Sequence, residues 1–137
     1  MTYLVDANVL SEATKQKSSA RVINWLRGHE SEIAVDPIIL GEIRFGIHLV
    51  PSGAKRDRLE AWFAGGISKI HCFPWEANTG LRWAELIADL RLAGRSMPIK
   101  DSLIAATALV HCLTVATHNV SDFERAGVSV VDPFADD

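Results

Sequence analysis

Tyr3-Leu4-Val5-Asp6-Ala7-Asn8-Val9-Leu10-Ser11-Glu12 opens on a short apolar run with a β-branched member, meets a carboxylate, and passes into a helical pattern. Such a run is expected as a buried strand closed by Asp6, with a helix from Asn8 to Glu12. The rest of the chain repeats this alternation. Glu32-Ile33-Ala34-Val35 is expected as a second strand, Ile67 to Phe73 as a third, Leu113 to Thr117 as a fourth and Val128 to Val131 as a fifth.

Between the strands lie helical patterns. From Ser19, the residues Val22, Ile23, Trp25 and Leu26 mark an amphipathic helix stopped near Gly28. Asp36-Pro37 starts another, with Asp as N-cap and Pro at the first helical position, and Ile39, Leu40, Ile43 and Ile47 on its apolar face. Arg58 to Phe63 is helical up to Gly65-Gly66. Trp75 to Ala93 is long and helical, with Leu81, Ala84, Ile87 and Ala88 at helical spacing. Lys100 to Cys112 is rich in alanine, and Ala105, Ala108 and Cys112 form a small-residue face that would let this helix lie close to a sheet. Ser121-Asp122-Phe123-Glu124 has the spacing of a capping box. Strands alternating with helices imply a parallel sheet with helices on both faces, so the expected fold is one three-layer α/β/α domain over residues 1–137.

Composition narrows the function. The 137 residues are 48% hydrophobic and 23% charged, the balance of a soluble globular domain. The net charge of −3 argues against holding nucleic acid by overall positive charge, though local basic patches can still steer a polyanion. Cys72 and Cys112 are far apart and form no C-x-x-C, so they are expected as reduced, partly buried thiols of a cytoplasmic protein. No apolar run approaches the roughly 20 residues that span a bilayer.

The acidic residues fall in a pattern. In an open parallel sheet, ligands bind outside the carboxyl ends of the strands. Asp6 closes the first strand, and Asn119 and Asp122 follow the fourth. Asp101 opens one helix and Glu42 lies on another, and right-handed crossovers can bring both to the same edge. Each has a structural reading of its own. Asp6 could cap a helix, Asp101 could answer a helix dipole, Asp122 could sit in a capped turn, and Glu42 could be a solvated shoulder. Taken together, clustered carboxylates either hold protons or share a cation, and hard oxygen donors suit Mg²⁺ or Mn²⁺. Such an ion can activate water, orient a phosphate and stabilise charge on the attacking and leaving oxygens, which is what phosphodiester hydrolysis requires.

These segments resemble a known family. Leu4 to Glu12, Gly41-Glu42-Ile43-Arg44-Phe45-Gly46, Asp101 to Ala108, and Ala116-Thr117-His118-Asn119-Val120-Ser121-Asp122-Phe123 look, in order, like the four motifs of PIN-domain ribonucleases. The likeness is to the VapC-type toxins of bacterial toxin–antitoxin pairs, in their FitB-like branch. The resemblance implies a Mg²⁺-dependent endoribonuclease with Asp6 and Asp101 as the principal metal ligands. Glu42 would complete the cluster, directly or through water, and Asn119 and Asp122 would come from the fourth motif. Some members carry Asp where this chain has Asn119, which leaves Asp122 as the alternative source of the fourth acid. The resemblance also implies a VapB-type antitoxin whose tail crosses the active site, and a homodimer. Leu59, Trp62 and Phe63 are either core or part of such surfaces. Lys15, Lys17, Arg21, Arg44, Arg95 and Lys100 are candidates for steering RNA, with Arg44 and Lys100 singled out as neighbours of Glu42 and Asp101.

Other chemistries fit less well. A HAD-type phosphatase needs Asp-x-Asp after the first strand, and here the string is Asp6-Ala7-Asn8. His29, His48, His71, His111 and His118 form no H-E-x-x-H, and neither a P-loop nor a nucleophile elbow is present. The remaining alternative is a catalytically silent module that only captures RNA or a partner.

Overall fold

The computed structural model describes residues 1–135. Its centre is a sheet of five parallel strands: β1 (Tyr3–Val5), β2 (Ile33–Val35), β3 (His71–Cys72), β4 (Thr114–Ala116) and β5 (Val130–Val131), in the order β3-β2-β1-β4-β5. The register places Leu4 beside Ala34 on one side and Val115 on the other. Successive side chains in a strand point to opposite faces. Leu4 and Val5, Ala34 and Val35, and Val115 and Ala116 are all fully buried, so both faces are covered, as the α/β/α reading expects.

The helices are α1 (Ala7–Leu10), α2 (Ala20–Gly28), α3 (Pro37–His48), α4 (Ala54–Gly65), α5 (Ala77–Leu92), α6 (Ile99–His111) and α7 (Val120–Glu124). Asp36 is the expected N-cap of α3, accepting from Ile39 N–H at 2.9 Å, with Pro37 at the first turn. Ile39, Ile43 and Ile47 form its buried stripe, as the spacing predicts.

Several expectations need correction. Most of Ile67 to Phe73 is not strand. Ile67–Lys69 is a 3-10 turn that buries Ile67, and only His71–Cys72 pairs with β2. The helix expected from Trp75 begins at Ala77, with Glu76 as cap and Thr79 closing a capping box. Its buried residues are Thr79, Leu86 and Leu90. Leu81 is 70% exposed and Ala84 and Ala88 also face solvent, because α5 packs through Trp83, whose indole N–H donates to Ser102 Oγ at 2.9 Å. On α6, Ala105 and Ala108 are buried as expected, but Cys112 is exposed and ends the helix at φ 56. The turn at Ser121 has Asn119 as its cap with no side-chain cap bond, so no capping box forms. Leu59, Trp62 and Phe63 pack half-buried against the core.

The strand order reverses between β1 and β4. The chain winds outward from β1 through β2 to β3, then crosses back to set β4 on the other side of β1. At such a switch point the loops leaving two adjacent strands diverge and open a cleft at their carboxyl ends.

Candidate active site

Asp6 leaves β1 at this cleft and is 2% exposed. It caps α1: its Oδ1 accepts from Ala7 N–H at 2.8 Å. Its Oδ2 accepts from the Thr117 hydroxyl at 2.7 Å and from the Asn8 amide at 3.3 Å. Thr117 follows β4, so this bond ties the two strands together at the switch point. The same hydroxyl accepts from Asn119 N–H at 3.0 Å and shapes the loop that leads to α7. The cap reading of Asp6 is therefore correct, and the cap leaves its carboxylate at the carboxyl end of the sheet.

Asp101 lies in the first turn of α6 and is 4% exposed. No donor bonds its carboxylate among the described residues. The helix dipole favours a charge here, yet the group is pushed up to about 6. Burial is the largest cause, and the charges of Asp6, Asp122 and Glu42 add to it against Lys100. Asp6 is also raised, by burial first and by Glu42 among its neighbours. Glu42 reaches the cluster from α3 and is paired with Lys100, whose ammonium is raised by that bond. Asp122 comes from α7 and lies 3.8 Å from Arg125. Asn119 is exposed. Four carboxylates from four separate parts of the chain thus sense one another at the end of the sheet.

Among the described residues, no three acidic, histidine or cysteine side chains converge tightly enough to form a ready-made metal cage. The donors nevertheless fit a hard divalent cation in kind. They are carboxylates only, one of them is buried without a partner, and their mutual repulsion is what such an ion relieves. Lys100 already places one positive charge there.

Of the two singled-out basic residues, Lys100 joins the cluster and Arg44 does not. Arg44 donates to Glu60 at 2.9 Å and stands over the Phe63 ring at 5.1 Å, turned toward α4. Sequence reasoning missed Thr117 as a support of Asp6, although the residue lay inside the fourth motif. It also missed the buried carboxylate of Asp36, which takes the Thr107 hydroxyl at 2.7 Å and so links α3, which carries Glu42, to α6, which carries Asp101. Glu12 is a fourth buried acid, held down in pKa chiefly by the Ser19 N–H, and it fastens the loop before α2.

The family model described as "PIN domain" matches residues 3–128. The chain belongs to the PIN domain family. Within it, the chain is similar to a VapC ribonuclease of Sinorhizobium fredii (30% identity, 96% of each chain) and to toxin FitB of Neisseria gonorrhoeae (32% identity, 97% of this chain and 99% of that one). The solved FitAcB structure from N. gonorrhoeae superposes with a TM-score of 0.91 at 28% identity, covering 97% of this chain and 99% of that one. A member of the VapBC family of toxin–antitoxin systems from Mycobacterium tuberculosis superposes at 0.61, with 27% identity and 72% and 79% covered. The expected family and fold are borne out.

Proposed function

We propose that this chain is a single-domain, Mg²⁺-dependent endoribonuclease, the toxin of a toxin–antitoxin pair acting in the cytoplasm, with Mn²⁺ able to replace Mg²⁺. The observation that carries the reading is Asp101, buried without a hydrogen-bond partner and facing the charges of Asp6, Glu42 and Asp122. Asp6 and Asp101 would hold the ion, with Glu42 and Asp122 completing its surroundings directly or through water. When bound, the ion supplies charge neutralisation at the phosphate and a more acidic water.

The chain's own residues do the rest. Thr117 and the Ala7 N–H fix the Asp6 carboxylate, so that it meets a ligand without reorganising. Lys100 neutralises Glu42 and lowers the barrier to bringing a phosphate near four acids. Asn119 stands exposed beside the cluster, where its amide can donate to a substrate oxygen.

The antitoxin reading has a surface to match. A hollow of about 820 Å³ runs between the loop after α1 and the α3–α4 pair, and a second of about 750 Å³ continues past it toward the start of the sheet. Ala13 and Trp62 line both, and we take the adjoining pair as one trough, with Lys15, Lys55 and Arg58 along one part. An amphipathic acidic segment of a VapB-type antitoxin suits it. The homodimer finds its candidate face on α5, where Leu81 and Leu92 are 70% and 87% exposed.

The test is to incubate the antitoxin-free protein with total bacterial RNA, in Mg²⁺, in Mn²⁺ and in EDTA, and to sequence the new ends. Discrete metal-dependent cuts that vanish in Asp6→Ala support the reading. Uncut RNA with folded, metal-loaded protein would leave the silent binding module instead.

A further inference from the structure

Beside the acid cluster, the loop between α5 and α6 and the end of α7 enclose a smaller hollow of about 360 Å³. It is lined by Gly94, Arg95, Ser96 and Arg125, two guanidinium groups and no carboxylate. Gly94 turns the chain at φ 70, where glycine is favoured, and Arg95 N–H bonds back to Leu90 C=O at 2.8 Å. The loop is thereby fixed against the end of α5. Arg125 is fixed as well: its Nη1 donates to Ser96 C=O at 2.9 Å and lies 3.8 Å from Asp122. A guanidinium has five N–H donors, so these contacts leave the others for a ligand. The Arg95 side chain is exposed and bonds nothing among the described residues.

Two arginine forks on one small concavity, one of them held in place, match the tetrahedral oxygens of a phosphate. Arg125 links the hollow to the cluster, lying 3.8 Å from Asp122. The two other basic groups singled out in the sequence are already paired, Lys100 with Glu42 and Arg44 with Glu60. With a net charge of −3, the chain cannot hold a polyanion by its overall field. Binding must fall to local sites of this kind.

We infer that the Arg95–Arg125 hollow is a phosphate subsite for RNA, seating a backbone phosphate of the strand whose scissile bond lies at Asp6 and Asp101. The inference rests on the nuclease reading above and adds to it a site that orients the strand across the acids. Arginines there exchange condensed counterions for direct contacts, which makes their contribution visible in salt dependence.

The experiment measures fluorescence anisotropy of a short, mixed-sequence, fluorescein-labelled single-stranded RNA in EDTA over a KCl series. The proteins are the wild type, Arg95→Ala, the Arg95→Ala/Arg125→Ala double variant, and Lys69→Ala as a control in the distant trough. The double variant is expected to lose roughly tenfold in affinity, and its log–log salt slope is expected to flatten by about 0.7, the increment for one phosphate on a single strand. Arg95→Ala carries part of this loss with an unchanged melting temperature, because its side chain supports nothing in the fold. Lys69→Ala binds as the wild type. If wild type binds RNA and both arginine variants keep its affinity and slope, the subsite is overturned and the nuclease reading stands. If wild type neither binds nor cuts RNA, the nuclease reading fails and the subsite falls with it. If the variants lose binding to labelled poly-glutamate but not to RNA, the hollow recognises carboxylates and the inference is overturned.

Discussion

Replacing Asp101 with asparagine should make the metal-free protein more stable while abolishing its cutting. The carboxyl is raised from 3.8 to about 6. At about 1.4 kcal/mol per unit this corresponds to about 3 kcal/mol, and solvent in the open cleft screens part of it, leaving about 1–2 kcal/mol. The sign follows from proton binding. Between about pH 4 and 6 the folded wild type holds a proton on Asp101 that the unfolded chain has released, so stability falls as pH rises through that window and levels off above it. The asparagine side chain has no proton to lose, and its amide fills the same volume. Thermal melts in EDTA at pH 7 should therefore place Asp101→Asn roughly 3–8 °C above wild type. At pH 4 the two should melt together. Adding Mn²⁺ should stabilise the wild type, by about 2.7 kcal/mol at a hundred times the dissociation constant, and should do little for the variant. A variant that melts below wild type by the same amount at both pH values would refute the reasoning, because Asp101 would then be a favourable structural group rather than a carboxylate held in a hostile place.

Other perturbations follow from the same geometry. Thr117→Val removes the hydroxyl that donates to Asp6 and accepts from Asn119 N–H; it should cost about 1–3 kcal/mol in chemical denaturation and reduce cutting more than RNA binding. Lys100→Ala takes away the cation that competes for Glu42, so calorimetry should show divalent ions binding roughly fivefold tighter. Phe123 is fully buried beneath α7; Phe123→Ala should destabilise the fold by about 3–5 kcal/mol and loosen Asp122 with it, read by denaturation and by hydrogen exchange in residues 119–126.

The positions of most strands along the chain, and the acids that follow them, could be read from the sequence because both depend on local signals. Apolar pairs such as Leu4-Val5 and Val115-Ala116 are buried on both faces, and a charge or polar residue stops each. The failures have a common origin in packing that no local pattern encodes. Leu81 and Leu86 are equally apolar in sequence, but only one lies on the side of α5 that Trp83 turns toward Ser102. Ile67 to Phe73 has the composition of a strand, yet β3 is an edge strand with a single neighbour, and only two residues pair before the chain turns away. Cys112 sits at helical spacing from Ala108, but the helix has already ended in a left-handed residue. At the site, the four acids were legible one by one. That Arg44 would prefer Glu60 to the cluster, and that Thr107 would seek Asp36, depended on distances between elements far apart in sequence.

The bond from Thr117 to Asp6 joins residues 111 positions apart, and it has a consequence for the newborn chain. Ribosomes release a protein from its N-terminus at about 5–20 residues per second. Asp6 is made long before Thr117, so β1 has no β4 beside it and Asp6 lacks its hydroxyl partner until residue 117 has emerged. Shorter nascent chains lack Asp122 altogether. The cleft is therefore completed only once residues 114–122 have joined β1, and no shorter nascent chain carries the assembled acid cluster.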